Sequence, residues 1–403
     1  MFRYDRQTMR DTVILLAIIL AVMTIVMYFM VRSSVDLKLK GAEEITISVG
    51  DTYKDPGTNI PAAKKVGTVD TKKAGDYAIS YTFANKIVRR VVHVVNPDKL
   101  VVTLKGSKET IVREGDPYVE SGAYAVDRDN GPIETYQKSG TVDTSKPGTY
   151  KIKYTFKDNY LKKSVTRTVR VVSQSEYVAA TQVTVLRYKN IYSDEDTPDV
   201  LESGDVSVDD FQIELKYLKD NGYYFPSYKE LRAYLDGKIH LPVKSVIITV
   251  DDSGSDFLKN AISAFDEEKV PGTVFLVGKK NADSIITKYA GSYVLFESYS
   301  YDMDSMSKDN TGHTVMADMT QDKIEEDLTK CSQILGTNDA FAYPDGDVTT
   351  DGQAAVENAG LDCAFTETEG RVTTLSTWSA LPRKLVTGSY SESTFHTFME
   401  STT

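Results

Sequence analysis

Cysteine and histidine are scarce in this 403-residue chain, at two and four residues. Two cysteines, Cys331 and Cys363, exclude a disulfide-rich scaffold and a cysteine-based zinc cluster. Sequence spacing leaves open whether they pair or remain buried thiols. The four histidines leave the whole interval between His240 and His313 without an imidazole. Basic charge is also short: 47 Lys and Arg stand against 58 Asp and Glu, a net charge of -11. That balance argues against a nucleic-acid partner, because phosphate recognition needs clustered cations. At about 150 residues per domain the length implies two or three domains. The composition, 41% apolar and 26% charged, is that of ordinary globular material.

Residues Thr12 to Val31 contain no charge. A helix of that length spans about 30 Å, the thickness of a bilayer's hydrocarbon core. A cleaved signal peptide would have a shorter apolar run and a small-residue cleavage site, whereas this run ends in Met27, Tyr28, Phe29, Met30 and Val31. The expectation is an uncleaved anchor over 12–31 with a cytoplasmic tail at 1–11.

One pattern then occurs twice. Gly50-Asp51-Thr52-Tyr53, Gly67-Thr68-Val69-Asp70-Thr71 and GDYAISYTF (Gly75 to Phe83) match Gly115-Asp116-Pro117-Tyr118, Gly140-Thr141-Val142-Asp143-Thr144 and GTYKIKYTF (Gly148 to Phe156). The offset grows along the repeat, which places an insertion near VDRDNG, Val126 to Gly131. Tyr77, Ile79, Tyr81 and Phe83 alternate with smaller or polar residues, as do Tyr150, Ile152, Tyr154 and Phe156. Period two with aromatic and β-branched residues predicts half-buried strands. Short strands with glycine turns predict two small all-β sandwiches, at 36–97 and 98–174. Both copies resemble the bacterial immunoglobulin-like domains found on surface proteins, which implies a spacer role. Asp127, Asp129 and Asn130 are either a calcium loop or simply a solvated one.

From about Ala179 strands alternate with helices. VTVLRY (Val183 to Tyr188), SVIITV (Ser245 to Val250) and TVFLV (Thr273 to Val277) predict strands, the second covered on both faces. Ser207 and Ser227 predict helix caps, the latter in a capping box with Glu230. This pattern predicts an α/β barrel over 179–403. SVIITVDD, ending at Asp252, and FAYPDG, Phe341 to Gly346, resemble the motifs of the polysaccharide deacetylases, the NodB-homology or carbohydrate esterase 4 family. NAGLDCAFT and LPRKLV, with Arg383, are similar to later strands of that family. The resemblance covers about residues 183–395 and implies a distorted (β/α) barrel that removes N-acetyl groups from glycans with a divalent cation, commonly zinc.

By this resemblance Asp251 is the base and Asp252 a metal ligand beside two histidines. The histidine segment, written SHTYDMH in related sequences, is here Ser298-Tyr299-Ser300-Tyr301-Asp302-Met303-Asp304. Tyr299 and Asp304 stand where histidines are expected, and an alternative register offers Glu297 and Tyr301. Asp251, Asp252 and Asp304 would make an oxygen-rich site, suited to calcium, magnesium or manganese better than to zinc. Without a cation, adjacent aspartates repel and one carboxyl titrates high. Ser253 replaces a glycine after the aspartate pair, and Tyr188-Lys189 replaces a Tyr-His pair. Asp345 brings a negative charge to the segment whose backbone N–H would face an oxyanion. His313 is a lone loop histidine, and His396 lacks the spacing of a general-acid motif. Tyr299, Tyr343, Asp345, Arg383 and Trp378 are the expected substrate-binding residues.

These features imply a single-pass membrane protein with its C-terminal domains outside the cytoplasm, on a Gram-positive surface by analogy. Its deacetylase-like domain would bind envelope glycan or a partner through a degenerate metal site, with weak or no hydrolysis. The alternatives are an active metal-dependent N-deacetylase of peptidoglycan or another N-acetylated polysaccharide, and a purely structural module.

Overall fold

The computed structural model describes residues 6–252, 254–308 and 312–401. Ser253 therefore lies outside the described residues. Helix α1 (Arg6–Ser34) contains Met9–Val31, the one segment among the described residues long and apolar enough to cross a membrane.

Contacts divide the chain into two compact units, 1–97 and 98–403. In the first, strands β1 (Glu44–Ser48), β2 (Lys64–Val66), β3 (Gly75–Phe83) and β4 (Lys86–Val95) form one sheet in the order β1-β4-β3-β2. The second unit opens with β5 (Leu100–Leu104), β6 (Glu109–Arg113), β7 (Ala123–Asp127), β8 (Gly131–Ile133), β9 (Gln137–Ser139), β10 (Gly148–Asp158) and β11 (Leu161–Val172). Its larger sheet, β6-β11-β10-β9, repeats the first repeat's order, and in both the first strand runs parallel to the last. The repeated GTVDT motif has a steric cause. Gly67 and Gly140 hold φ of +107° and +103°, and a Cβ on either would lie 2.1 Å from the carbonyl oxygen of Ala78 or Lys151. Arg90 and Arg167 also correspond, each fully buried opposite Ile79 or Ile152. Arg90 donates to the Ala42 carbonyl at 2.9 Å and pairs with Asp55 at 2.8 Å. Arg167 donates to the carbonyls of Ser107, Lys105 and Gly122.

The second repeat is not a free spacer. Strands β5 and β7 pair with β8 in a second sheet, and every residue of β5 and β7 is buried. Alternation explains how. Leu100, Val102, Leu104, Ala123 and Ala125 face the repeat's own core, while Val101, Tyr124 and Val126 join the core that surrounds the barrel. Polar contacts fix the joint. Tyr124 donates to the Leu335 carbonyl at 2.8 Å, Thr103 to Gly291 at 2.6 Å, and Lys105 pairs with Asp339 at 2.5 Å. Arg128, in the inserted VDRDNG segment, donates to the carbonyls of Lys288 and Ala290, both at 2.6 Å. Those are orphan acceptors at a helix C-terminus, where a cation is favoured. In the same loop Asp127 accepts the N–H groups of Asp129 and Asn130, and Asp129 pairs with Lys99. The three residues thus build a turn.

The barrel follows. Strands β12 (Thr184–Tyr188), β15 (Val246–Asp251), β16 (Gly272–Val277), β17 (Val294–Ser300), β18 (Ala340–Ala342), β19 (Cys363–Glu369) and β20 (Leu381–Leu385) close a seven-stranded ring, all neighbours parallel. A small pair, β13 (Asn190–Tyr192) and β14 (Asp205–Ser207), precedes helix α2 (Val208–Asp220). Helices α3 (Tyr228–Leu235), α4 (Ser255–Glu268), α5 (Ala282–Tyr289), α6 (Gln321–Leu335), α7 (Thr350–Asn358) and α8 (Glu392–Glu400) complete the domain. The Ser227–Glu230 capping box forms as its spacing predicts. Ser227 and Glu230 also bond Ser121 of the second repeat, and Glu230 supplies the charge that chiefly balances Arg167. Val185, Ile247, Phe275, Phe365 and Leu381 plug the barrel. Cys331 and Cys363 are both free, buried thiols.

One buried acid lies outside that plug. Glu214 of α2 accepts from the Tyr188 hydroxyl at 2.7 Å, and burial pushes its carboxyl up to about 8. Because the folded chain keeps this proton at a pH where the unfolded chain has lost it, stability should fall as pH rises from about 4.5 to 8. The slope from this one group is at most about 1.4 kcal/mol per pH unit. Glu214→Gln should match the wild type at pH 5 and melt higher at pH 8, read by thermal unfolding across that range. Equal pH profiles for the two proteins would contradict this assignment.

Candidate functional site

Asp251 ends β15, and its side chain enters a charged layer above the apolar plug. Arg383, on β20, grips it through two parallel bonds: Nη1 to Oδ1 at 2.6 Å and Nη2 to Oδ2 at 2.9 Å. The guanidinium is fixed in turn by the Thr249 hydroxyl at 3.2 Å and the Thr366 carbonyl at 2.9 Å. Arg187 of β12 stands 3.9 Å from Asp251 and pairs with Glu367 of β19 at 2.5 Å. Arg383 and Asp251 are 1% and 4% exposed. So deep a pair persists because each charge is matched and the fork is bidentate.

Asp252 turns the other way. Its oxygens accept the N–H of Gly254 at 3.2 Å and of Val277 at 3.0 Å. Its carboxyl titrates above the usual range chiefly because it is buried, with Asp304 adding to the rise and the Val277 N–H and Lys280 opposing it. One high-titrating acid was expected from the aspartate pair, but the neighbouring charge felt here is Asp304.

Tyr299, at the first expected histidine position, is 7% exposed, and its hydroxyl accepts the N–H of Asp345 at 3.0 Å. Asp345 reaches that geometry at φ 49° and ψ 22°, a left-handed conformation uncommon outside glycine. The backbone donor expected to face an oxyanion is therefore taken by a phenol. Burial and the Asp251 charge push the Tyr299 hydroxyl well up, so it stays protonated. Asp304, at the second position, pairs with Lys280 at 2.5 Å. Glu297, from the alternative register, accepts from Thr337 and from the N–H groups of Asp339 and Ala340, beside Lys105 of the second repeat. That is the domain joint.

Two expected substrate residues lie elsewhere. Tyr343 is wholly buried, its hydroxyl on the Ser379 carbonyl at 2.8 Å and its ring against Phe341. Trp378 has Arg232 4.0 Å over its ring, and its carbonyl accepts from Ala364 near the start of β19, at the opposite barrel end from Asp251. Aromatic residues in strand-flanking loops more often complete a core than offer a sugar platform, as here. Each of the four histidines has a partner: His93 with Asp76, His240 with Asp116, His313 with Asp347, and His396 stacked on Tyr217. Among the described residues no group of three or more His, Cys, Asp or Glu side chains is arranged to hold a metal ion. The structure thus brings together Asp251, Asp252, Tyr299, Asp304, Asp345 and Arg383, and adds Arg187, Lys280 and Glu367. Arg187 carried a signal, a cation within an otherwise apolar strand.

Breaking the buried pair should be costly. Arg383→Met should lose about 3–5 kcal/mol in urea unfolding by stranding Asp251. The double variant Arg383→Met/Asp251→Leu should recover most of that loss. A double variant as unstable as the sum of the singles would show the two charges to be uncoupled.

Family models match three stretches of this chain. Residues 37–94 and 102–171 match the family model for the Ig-like domain of bacterial surface proteins, and residues 238–364 match that for polysaccharide deacetylase. YxkH of Bacillus subtilis (strain 168), named as a polysaccharide deacetylase, is 23% identical over 197 residues, 48% of this chain and 69% of its own length. The Streptococcus pyogenes deacetylase PplD in complex with acetate is 22% identical with a TM-score of 0.45, covering 55% of this chain and 100% of its own. The polysaccharide deacetylase BA0330 of Bacillus anthracis is 18% identical with a TM-score of 0.45, covering 84% and 99%. The chain therefore carries a polysaccharide deacetylase-family domain behind two bacterial surface Ig-like domains.

Proposed function

We propose that this is a membrane-anchored surface protein whose deacetylase-family domain binds N-acetylated envelope glycan at the barrel mouth, with weak or no hydrolysis. One observation carries the reading: both positions where the family resemblance expects imidazoles hold groups already partnered within the groove, Tyr299 with the Asp345 N–H and Asp304 with Lys280. The donors present do not fit a zinc ion. Asp304 is ion-paired with Lys280, and no group of three or more His, Cys, Asp or Glu side chains gathers around Asp252 among the described residues, whereas zinc sites are built largely on nitrogen and sulfur. The carbonyl polarisation that a zinc ion supplies in such hydrolysis would fall here to the Lys280 ammonium and the Tyr299 hydroxyl. Recognition is better provided for: the Tyr299 hydroxyl, the Asp345 carboxylate and the Lys280 ammonium are all groups that hydrogen-bond sugar hydroxyls and amides. Helix α1 supports the anchor.

A second reading, an active N-deacetylase, is favoured by Asp251 alone. The Arg383 fork orients this carboxylate and leaves lone pairs for a water, as a base requires.

Full-length protein in detergent, titrated calorimetrically with N-acetylated chitooligosaccharides, should bind them. With zinc, cobalt or manganese added it should release no acetate above the rate of an Asp251→Asn variant. Metal-dependent acetate release abolished by Asp251→Asn would establish the second reading, and no binding to any acetylated oligosaccharide would remove the first.

A further inference from the structure

The outward face of the second repeat's hairpin is basic in a chain whose net charge is -11. In β10, alternation turns Ile152, Tyr154 and Phe156 into the repeat's core and leaves Lys151, Lys153 and Lys157 exposed on the other side. In β11 it turns Val169 and Val171 inward and leaves Lys162 and Arg170 exposed. The antiparallel register sets Lys157 opposite Lys162 and Thr149 opposite Arg170. Lys151 and Lys153 are separated by two residue steps on that face, about 7 Å, so the cations form one band along the hairpin. Arg170 pairs with Glu109 of β6 at 2.9 Å, whereas the four lysines meet no acid among the described residues. Hydroxyls stand between them: Thr155 and Ser164 bond each other at 2.9 Å, and Thr166 and Thr168 lie opposite Lys153 and Lys151.

The fold does not require these charges. The first repeat pairs β3 with β4 in the equivalent register, Ile79 opposite Arg90 as Ile152 is opposite Arg167. Where the second repeat has Lys151 and Lys153, the first has Ala78 and Ser80. Its hairpin is also shorter, so the Lys157–Lys162 pair has no counterpart there. Like charges directly opposite across two strands are destabilising, and these two return no bond to the fold. A cost confined to one copy and one face points outward, to a ligand. We propose that this band is a docking surface for a linear anionic glycan, its carboxylates along the ammonium row and its hydroxyls against the threonines. The spacing suits a chain more than a compact anion, since Lys151 to Lys157 spans about 20 Å of extended strand. None of the outward positions of the two strands is apolar or aromatic. The face therefore lacks the apolar wedge of a membrane-binding surface and the stacking platform of a single-stranded nucleic-acid groove. Because the band belongs to the repeat and not to the barrel mouth, it is independent of what the groove itself binds.

The test is binding of the full-length protein, held in phosphatidylcholine nanodiscs, to immobilised polygalacturonate, a linear carboxylate glycan. Biolayer interferometry reads it, with dextran as the uncharged control. The wild type should bind polygalacturonate but not dextran, and its affinity should fall as salt is raised. The quadruple variant Lys151→Ala/Lys153→Ala/Lys157→Ala/Lys162→Ala should bind at least about tenfold more weakly. Replacing the same four residues by arginine should keep the affinity. The alanine variant should melt no lower than the wild type, because these lysines form no ion pair, so its lost affinity reports a lost surface. A wild type that does not bind polygalacturonate would overturn the proposal, as would an alanine variant that binds it as tightly. Capture of the wild type by phosphatidylglycerol vesicles in preference to polygalacturonate would also overturn it, and would assign the band to a membrane surface.

Discussion

The buried ion pair between Arg383 and Asp251 is the constraint around which the barrel mouth is organised. A carboxylate at the end of β15 and a guanidinium on β20 are almost wholly removed from water, a state that costs several kcal/mol per ion unless each is matched. Matching them requires the Thr249 hydroxyl and Thr366 carbonyl beneath, and it brings the Arg187–Glu367 pair alongside. The apolar plug of Phe275 and Phe365 supports this layer from below. Asp252, the next residue, must then point away from Arg383, and it finds backbone donors and the Lys280 charge. The groove's polarity is thus a consequence of closing the barrel with charge.

The same logic of matched burial extends to the second Ig-like repeat. Its Lys105 stands with Asp339 beside buried Glu297, its Arg167 is balanced by Glu230, and its Arg128 caps the end of α5. Two strands buried on both faces join its core to the shell around the barrel. The repeat serves as an integral layer of the second compact unit. The inserted segment of the second copy carries the Arg128 contact.

Much of the fold was legible in the chain itself. Alternation in GDYAISYTF and GTYKIKYTF reflects strands with one face in a small core, and the Ser227–Glu230 box marks a helix start because both groups satisfy backbone N–H groups locally. The aspartate pair after SVIITV was readable through its resemblance to the deacetylase motif, and its place at a strand's C-terminal end suits a barrel, where active sites form. What was not readable depends on distance in sequence. Lys280 meets Asp304 across 24 residues, and no local pattern distinguishes it from a solvated surface lysine. Tyr343 and Trp378 looked like sugar platforms because aromatic composition does not report which side of a strand or which barrel end a ring occupies. Leu100–Leu104 is buried at every position, and nothing local in its sequence identifies the partner on its outer face.

The central claim is that protein cations already engage the carboxylates of this groove, Arg383 at Asp251 and Lys280 at Asp304. Anomalous diffraction at the zinc edge from crystals of residues 98–403 soaked in zinc addresses it most directly. The account predicts no anomalous peak within bonding distance of Asp252 and an unbroken Lys280–Asp304 pair. A peak coordinated by Asp252 and Asp304, with Lys280 swung out to solvent, would contradict it.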